Sequence, residues 1–234
     1  MKQFLKLLVF QSLLFSQDYQ FFEKFFGFYK FKIYSSKKEI GFINLKISSC
    51  TVHEENKEFT LPVFVSEIES YTDIPILFFI GETYNNEIEY YDSNFIPLNS
   101  KIITKDKKDE FVTIMRTDVL NKSEYKCILK KEKRKVIIKE INFSPPIITA
   151  GNAIPLITTL WDFEKEKSKK FYFIDKDKFD IKEMNLEYLG ETQDGLFKIK
   201  LTLPYFGARF IIYLDKNKQI KYAEGLGLKI YAVE

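Results

Sequence analysis

Histidine is almost missing from this chain. His53 is the single one in 234 residues, so any Ser–His–Asp or Cys–His arrangement would have to run through it. It stands in Cys50-Thr51-Val52-His53-Glu54-Glu55, at what reads as an exposed strand end. The same count removes a histidine-based zinc site and leaves a metal only carboxylates. Cysteine is nearly as scarce: Cys50 and Cys127 are the only two, and they are not spaced as metal ligands. In an oxidising compartment they can pair and close a long loop; two isolated thiols in strands explain the pattern equally well. Glycine is thin, and Gly225-Leu226-Gly227 lacks the third glycine and the following helix of a dinucleotide loop. Arginine occurs only at Arg116, Arg134 and Arg209. No stretch beyond the N-terminal residues reaches the ~18 apolar residues that a membrane-crossing helix needs. These absences leave a chain that reads as non-enzymatic and without a cofactor. Carboxylates are the one opening for catalysis, since two acidic groups brought together would suffice for a hydrolase, yet nothing marks out a pair.

What the chain has in plenty is aromatic. Phe (24) and Tyr (14) lift the aromatic share to 17%, beside 45% hydrophobic and 29% charged residues. That is globular composition, and aromatics suit a half-buried pleated surface. Residues 1–16, MKQFLKLLVFQSLLFS, read as a secretory leader: Lys2 and Lys6 open it, an apolar run follows, and Ser16 can precede the cut. Leu14 stands where a small residue is usual. A helix packed on the domain is the alternative. The net charge is +3, and removing Lys2 and Lys6 leaves 34 basic residues against 33 acidic ones. Such a balance argues against a nucleic-acid binder.

From residue 17 to 234 the expectation is a single antiparallel β domain. Tyr29, Phe31 and Ile33 alternate with Lys30 and Lys32; Ile43, Leu45 and Ile47 follow after a turn at 35–38. Phe59, Leu61, Val63 and Val65 keep the period, with Pro62 pointing to an edge or a bulge. Residues 74–80 read as a strand buried on both sides. Further strands are expected at 87–91, 95–104, 110–116, 125–130 and 134–141, the last two flanking a charged turn. After Pro145-Pro146, Ile154, Leu156, Ile157, Leu160 and Trp161 fall near helical spacing. A short helix near residues 152–161 is therefore expected, its apolar stripe plugging an open face of the sheet. Strands resume from 170 to 233, with turns at Asp194-Gly195 and Asp215-Lys216-Asn217-Lys218. About a dozen short strands with close turns indicate an antiparallel β-barrel, open half-barrel or sandwich.

Asp175, Asp177 and Asp180 lie together, but lysines interleave them and no calcium-loop register fits, so they read as a solvated turn. The run at 130–135, KKEKRK, reads as a soluble hairpin turn that can also meet an acidic polymer or lipid.

The order of features resembles a family of exported bacterial proteins, the DUF3108-like group. Residues 28–33 followed by Ile40-Gly41 are similar to its opening strands. Glu89-Tyr90-Tyr91-Asp92 followed by Ile96-Pro97-Leu98 is similar to a strand pair within it. The 153–161 segment falls where that family carries a helix, and 210–214, 219–222 and 225–230 resemble its closing hairpin. Scarce arginine and the phenylalanine-rich lead-in at 21–28 depart from it. The resemblance implies an envelope location and a barrel-like sheet, and it carries over no catalytic residue.

Three readings of function follow. A curved sheet that does not close leaves an apolar face for a lipid or other hydrophobic or amphiphilic small molecule, lined by Trp161, Phe171, Phe173, Phe206 and Tyr213. Those aromatics serve equally as core. Alternatively the chain is a structural or partner-binding module of the cell envelope, using a strand edge or the KKEKRK turn. A carboxylate-dependent hydrolase is the third reading.

Overall fold

Alternation becomes pairing wherever a tight turn reverses the chain, and such turns recur along this one. The structure, a computed structural model, describes residues 26–53, 60–76, 80–92, 95–106, 109–119, 125–132, 136–144, 147–149, 151–153, 161–175, 180–203 and 208–233. The first half is a meander of β1 (Gly27–Ser35), β2 (Lys38–His53), β3 (Thr60–Ile76), β4 (Ile80–Tyr91), β5 (Pro97–Asp106), β6 (Glu110–Val119), β7 (Tyr125–Glu132) and β8 (Val136–Phe143). A two-residue β9 (Ile147–Ile148) follows. The second meander is β10 (Ser168–Asp175), β11 (Asp180–Glu191), β12 (Phe197–Thr202), β13 (Arg209–Leu214), β14 (Ile220–Gly225) and β15 (Leu228–Val233).

Local chemistry explains the turns. Ser36 takes a left-handed backbone (φ 57°) between β1 and β2. Gly195 does the same (φ 78°) between β11 and β12, where Thr192 N–H donates to Leu196 O at 2.8 Å. At the β13–β14 turn the Asp215 carboxylate accepts the Asn217 and Gln219 amides at 2.8 and 3.0 Å, while Lys218 turns left-handed.

β1 also pairs with β15, so the two meanders join at the chain's ends into one sheet of fifteen strands, from β8 at one edge to β9 at the other. Every ladder is antiparallel except the short β9–β10 pair. β8 and β9 are the farthest apart in that order, yet Phe143 ends one and Ile147 begins the other. Four residues of extended chain reach at most about 14 Å. The sheet must therefore curl until its edges approach. Packing agrees: Ile96, Met115, Phe143, Ile147 and Ile174 form one buried cluster drawn from both meanders. The architecture is barrel-like, all but free of helix among the described residues, and not closed by a β8–β9 ladder.

The larger core cluster also spans the barrel. Phe64, Tyr91 and Phe95 from the first half meet Ile148, Trp161, Phe163, Phe171, Leu186, Ile199, Ile212 and Leu214. Trp161, Phe163 and Phe171 are wholly buried. On the outer face Lys–Glu pairs link neighbouring strands, as Lys46–Glu67 (2.6 Å) and Lys105–Glu110 (2.9 Å) do. Half-exposed pairs like these add little stability each.

The expectation of an antiparallel, barrel-like sheet of about a dozen strands holds, with fifteen strands described. Residues 74–80 are not one strand: β3 ends at Ile76 and β4 begins at Ile80. Pro62 sits in β3 opposite Thr51, beyond the reach of β4, whose ladder starts at Phe64. Among the described residues β3 thus has a ladder partner on one side only at Pro62, a position where a residue without an N–H is tolerated. Of the expected helix, Ala153 is helical and 154–160 lie outside the described residues. No described helix is long and apolar enough to cross a membrane.

Candidate functional site

The alternation of the β3–β6 region sends polar side chains inward. Ile68 of β3 and Ile102 of β5 point into the barrel, and their ladder partner on β4 is Glu87. Two residues on, Glu89 faces the same way between Ser66 and Ser100. Glu89 is 0% exposed, and Ser66, Ser100, Thr113 and Thr117 are buried around it. The buried residues of the opposite wall, from β10 to β15, are apolar apart from Asp175.

Glu89 is the hub of a hydrogen-bonded clasp. Its Oε2 accepts from the Tyr91 hydroxyl, from Thr149 Oγ1 at 2.8 Å and from the Gly151 amide at 3.2 Å. Tyr91 OH also lies 2.9 Å from Thr149 Oγ1 and 3.3 Å from Ser66 Oγ. Asn152 completes the arrangement: its Oδ1 accepts the Thr149 amide at 2.6 Å, and its Nδ2 donates to Phe95 O at 2.9 Å and Ile147 O at 3.3 Å. Gly151 is required here, because a Cβ at that position would press on Ser66 Oγ, Tyr91 OH and Glu89 Oε2. Burial pushes the Tyr91 phenol well above its ordinary value, and the neighbouring Glu89 charge adds to this.

Chemically this is a fastener. The connection that carries the chain from one sheet edge to the other is bonded to the floor of β3 and β4. Each of these donors to Glu89 belongs to the protein itself. Two further hydroxyls, Ser100 Oγ opposite Glu89 and Thr117 Oγ1 on β6, are buried with no hydrogen-bond partner among the described residues. None of the six clasp residues stands out in the sequence as a site. The usable signal was Glu87, Glu89 and Tyr91 recurring at period two, which places all three on one face.

The aromatics expected to line a ligand face divide. Trp161 and Phe171 are buried in the main core, and Phe173 packs against it. Trp161 Nε1 donates to Glu166 O at 2.8 Å. Tyr213 is on the other face of β13 from Ile212 and Leu214, stacked on Tyr222 at 4.1 Å with its hydroxyl on Glu224 at 3.0 Å. Burial first, then that bond, pushes its phenol up to about 12. Phe206 lies outside the described residues. Cys50 is in β2 and Cys127 in β7, five ladder steps apart. At about 4.8 Å per step that is roughly 24 Å along the sheet, so strand pairing does not bring them together. His53 ends β2. Asp175 is buried rather than solvated, Asp177 lies outside the described residues, and Asp180 pairs with Lys182. Among the described residues no group of three His, Cys, Asp or Glu is placed to hold a metal.

A second feature sits at the sheet's edge. In β8, residues 136–140 are exposed throughout, with Val136 at 59%, Ile137 at 52% and Ile138 at 63%. Ile141 and Phe143 of the same strand turn into the barrel cluster.

No family model matches the chain. No curated protein matches it either. Among solved structures it is similar to the crystal structure of a beta-barrel-like protein of the domain of unknown function DUF1849 from Brucella abortus. The identity is 9%, 88% of this chain and 94% of that one are covered, and the TM-score is 0.43. The barrel-like form of this chain stands on its own strand ladder.

Proposed function

We propose that the chain is an exported, non-enzymatic module of the cell envelope that takes up an extended polypeptide strand at β8. The observation that carries this is the exposure of Val136, Ile137 and Ile138 on a strand that, among the described residues, pairs only with β7. Edge strands are normally blunted by charge, proline or a covering loop. A β-branched apolar triplet at an edge is the composition of a strand meant to lie between two others. The non-enzymatic reading is supported by the clasp, in which Glu89 Oε2 accepts from three groups of the protein. The leader at 1–16 and the resemblance to the DUF3108-like group support export.

A labelled peptide with the sequence of residues 136–142 tests the edge. Saturable binding that is lost in Ile138→Lys is expected; a peptide that never binds contradicts the reading. Export is tested by cell fractionation and N-terminal sequencing. The mature chain is expected to start just after Ser16, and a cytosolic chain retaining Met1 contradicts it.

A second reading draws on Ser100 Oγ and Thr117 Oγ1. Unpaired hydroxyls on the polar wall, opposite an apolar one, suit the head group of an amphiphile. Organic extraction of the purified protein followed by mass spectrometry tests it. A stoichiometric lipid supports an internal ligand, and a clean extract removes it.

A further inference from the structure

We infer that the strand received at β8 is the β8 of a second copy of this chain, paired antiparallel about a two-fold axis through Ile138. The inference rests on the reading of β8 as an open edge. The exposed part of the strand is residues 136–140, with the Lys139 ammonium near enough to act on the Asp180 carboxyl of β11, before Ile141 and Phe143 turn into the barrel. Its midpoint is Ile138.

A two-fold axis normal to a sheet keeps inner faces on the same side, so only registers pairing residues of like face are allowed. Ile137 and Lys139 share the inner face with Ile141, and Val136, Ile138 and Glu140 share the outer one. Centred on Ile138, all five free residues find partners: Ile138 meets itself, Ile137 meets the aliphatic stem of Lys139, and Val136 meets Glu140. Centring on Lys139 or Glu140 sets like charges against each other and shortens the free ladder. Centring on Ile137 shortens it to 136–138. Charge and the extent of the free edge therefore select the same register. Glu140 is already partnered by Lys126 of its own chain at 2.8 Å, so no new charge is stranded. A ladder of this length buries on the order of 600–800 Å² in total, the range of weak, concentration-dependent association.

Sedimentation equilibrium of the full chain across a wide concentration range is the first measurement. The weight-average mass is expected to climb from the monomer's 27.8 kDa toward twice that value, and Ile138→Lys is expected to weaken association at least tenfold. Cysteine scanning at 136, 137 and 138, with Cys50 and Cys127 replaced by serine, is the second. Only Ile138→Cys places the new thiol opposite its own copy, so disulfide-linked dimer should form fastest there. A chain that stays monomeric at every concentration overturns the inference. So does a dimer that is indifferent to Ile138→Lys or crosslinks best elsewhere. The peptide experiment above separates the two levels: a monomer whose edge still binds the 136–142 peptide keeps the edge reading and loses only the second copy.

Discussion

Glu89 illustrates how one buried charge can be worth more to a fold than its neighbours. Its Oε2 gathers two hydroxyls and an amide inside the barrel; without it the hydroxyls fall back on each other, Ser66 Oγ and Asn152 Oδ1. Glu89→Ala is expected to cost about 1–3 kcal/mol, because the Gly151 amide loses its buried acceptor and the two hydroxyls lose one of theirs. Glu89→Gln, which keeps an acceptor, should cost clearly less. Chemical denaturation checks both, and an alanine variant as stable as the parent would remove the clasp from the account. Tyr213 supplies a pH signature. Below pH 10 its phenol is protonated whether the chain is folded or not. Above that the unfolded chain sheds the proton while the folded one holds it up to about 12. Stability should thus fall between those limits. Tyr213→Phe should make the decline shallower; an unchanged pH profile would contradict the burial described.

Strands were legible in the sequence because turn residues and period-two alternation coincide, as at Tyr29, Phe31 and Ile33. The clasp was not, because β4 inverts the usual code: Glu87 and Glu89 face inward while Ile88 and Tyr90 lie on the opposite, half-buried face. Pattern reasoning assigns charge to water and has no means of seeing a carboxylate whose donors arrive from residues 149–151, some sixty positions away. Trp161, expected either to line a ligand face or to fill the core, is buried in the core; Asp175, expected in a solvated turn, is buried. The segment carrying Thr149, Gly151 and Asn152 acts as one piece, so loosening it at a single atom should loosen all of it. Gly151→Ala is expected to cost about 1–3 kcal/mol as an overpacked contact. The emission of Trp161, the single tryptophan, should report that loss, since its ring lies in the same core cluster as the clasp's Tyr91. An alanine variant matching the parent in stability and emission would mean the cradle is looser than described.

The molecule as a whole is a curled ribbon whose first and last described strands, β1 and β15, meet in the middle of the sheet. Its two edges are treated differently. The β9 edge is tied down beside Thr149 and Asn152, and the β8 edge keeps five residues free. Hydrogen exchange resolved by residue tests this asymmetry. At low protein concentration the amides of 87–91 should exchange slowly, while the alternate amides of 136–140 that point away from β7 exchange fast. Raising the concentration should protect those edge amides and no others. Edge amides that are protected already in the dilute monomer, or that stay unprotected at every concentration, would contradict it.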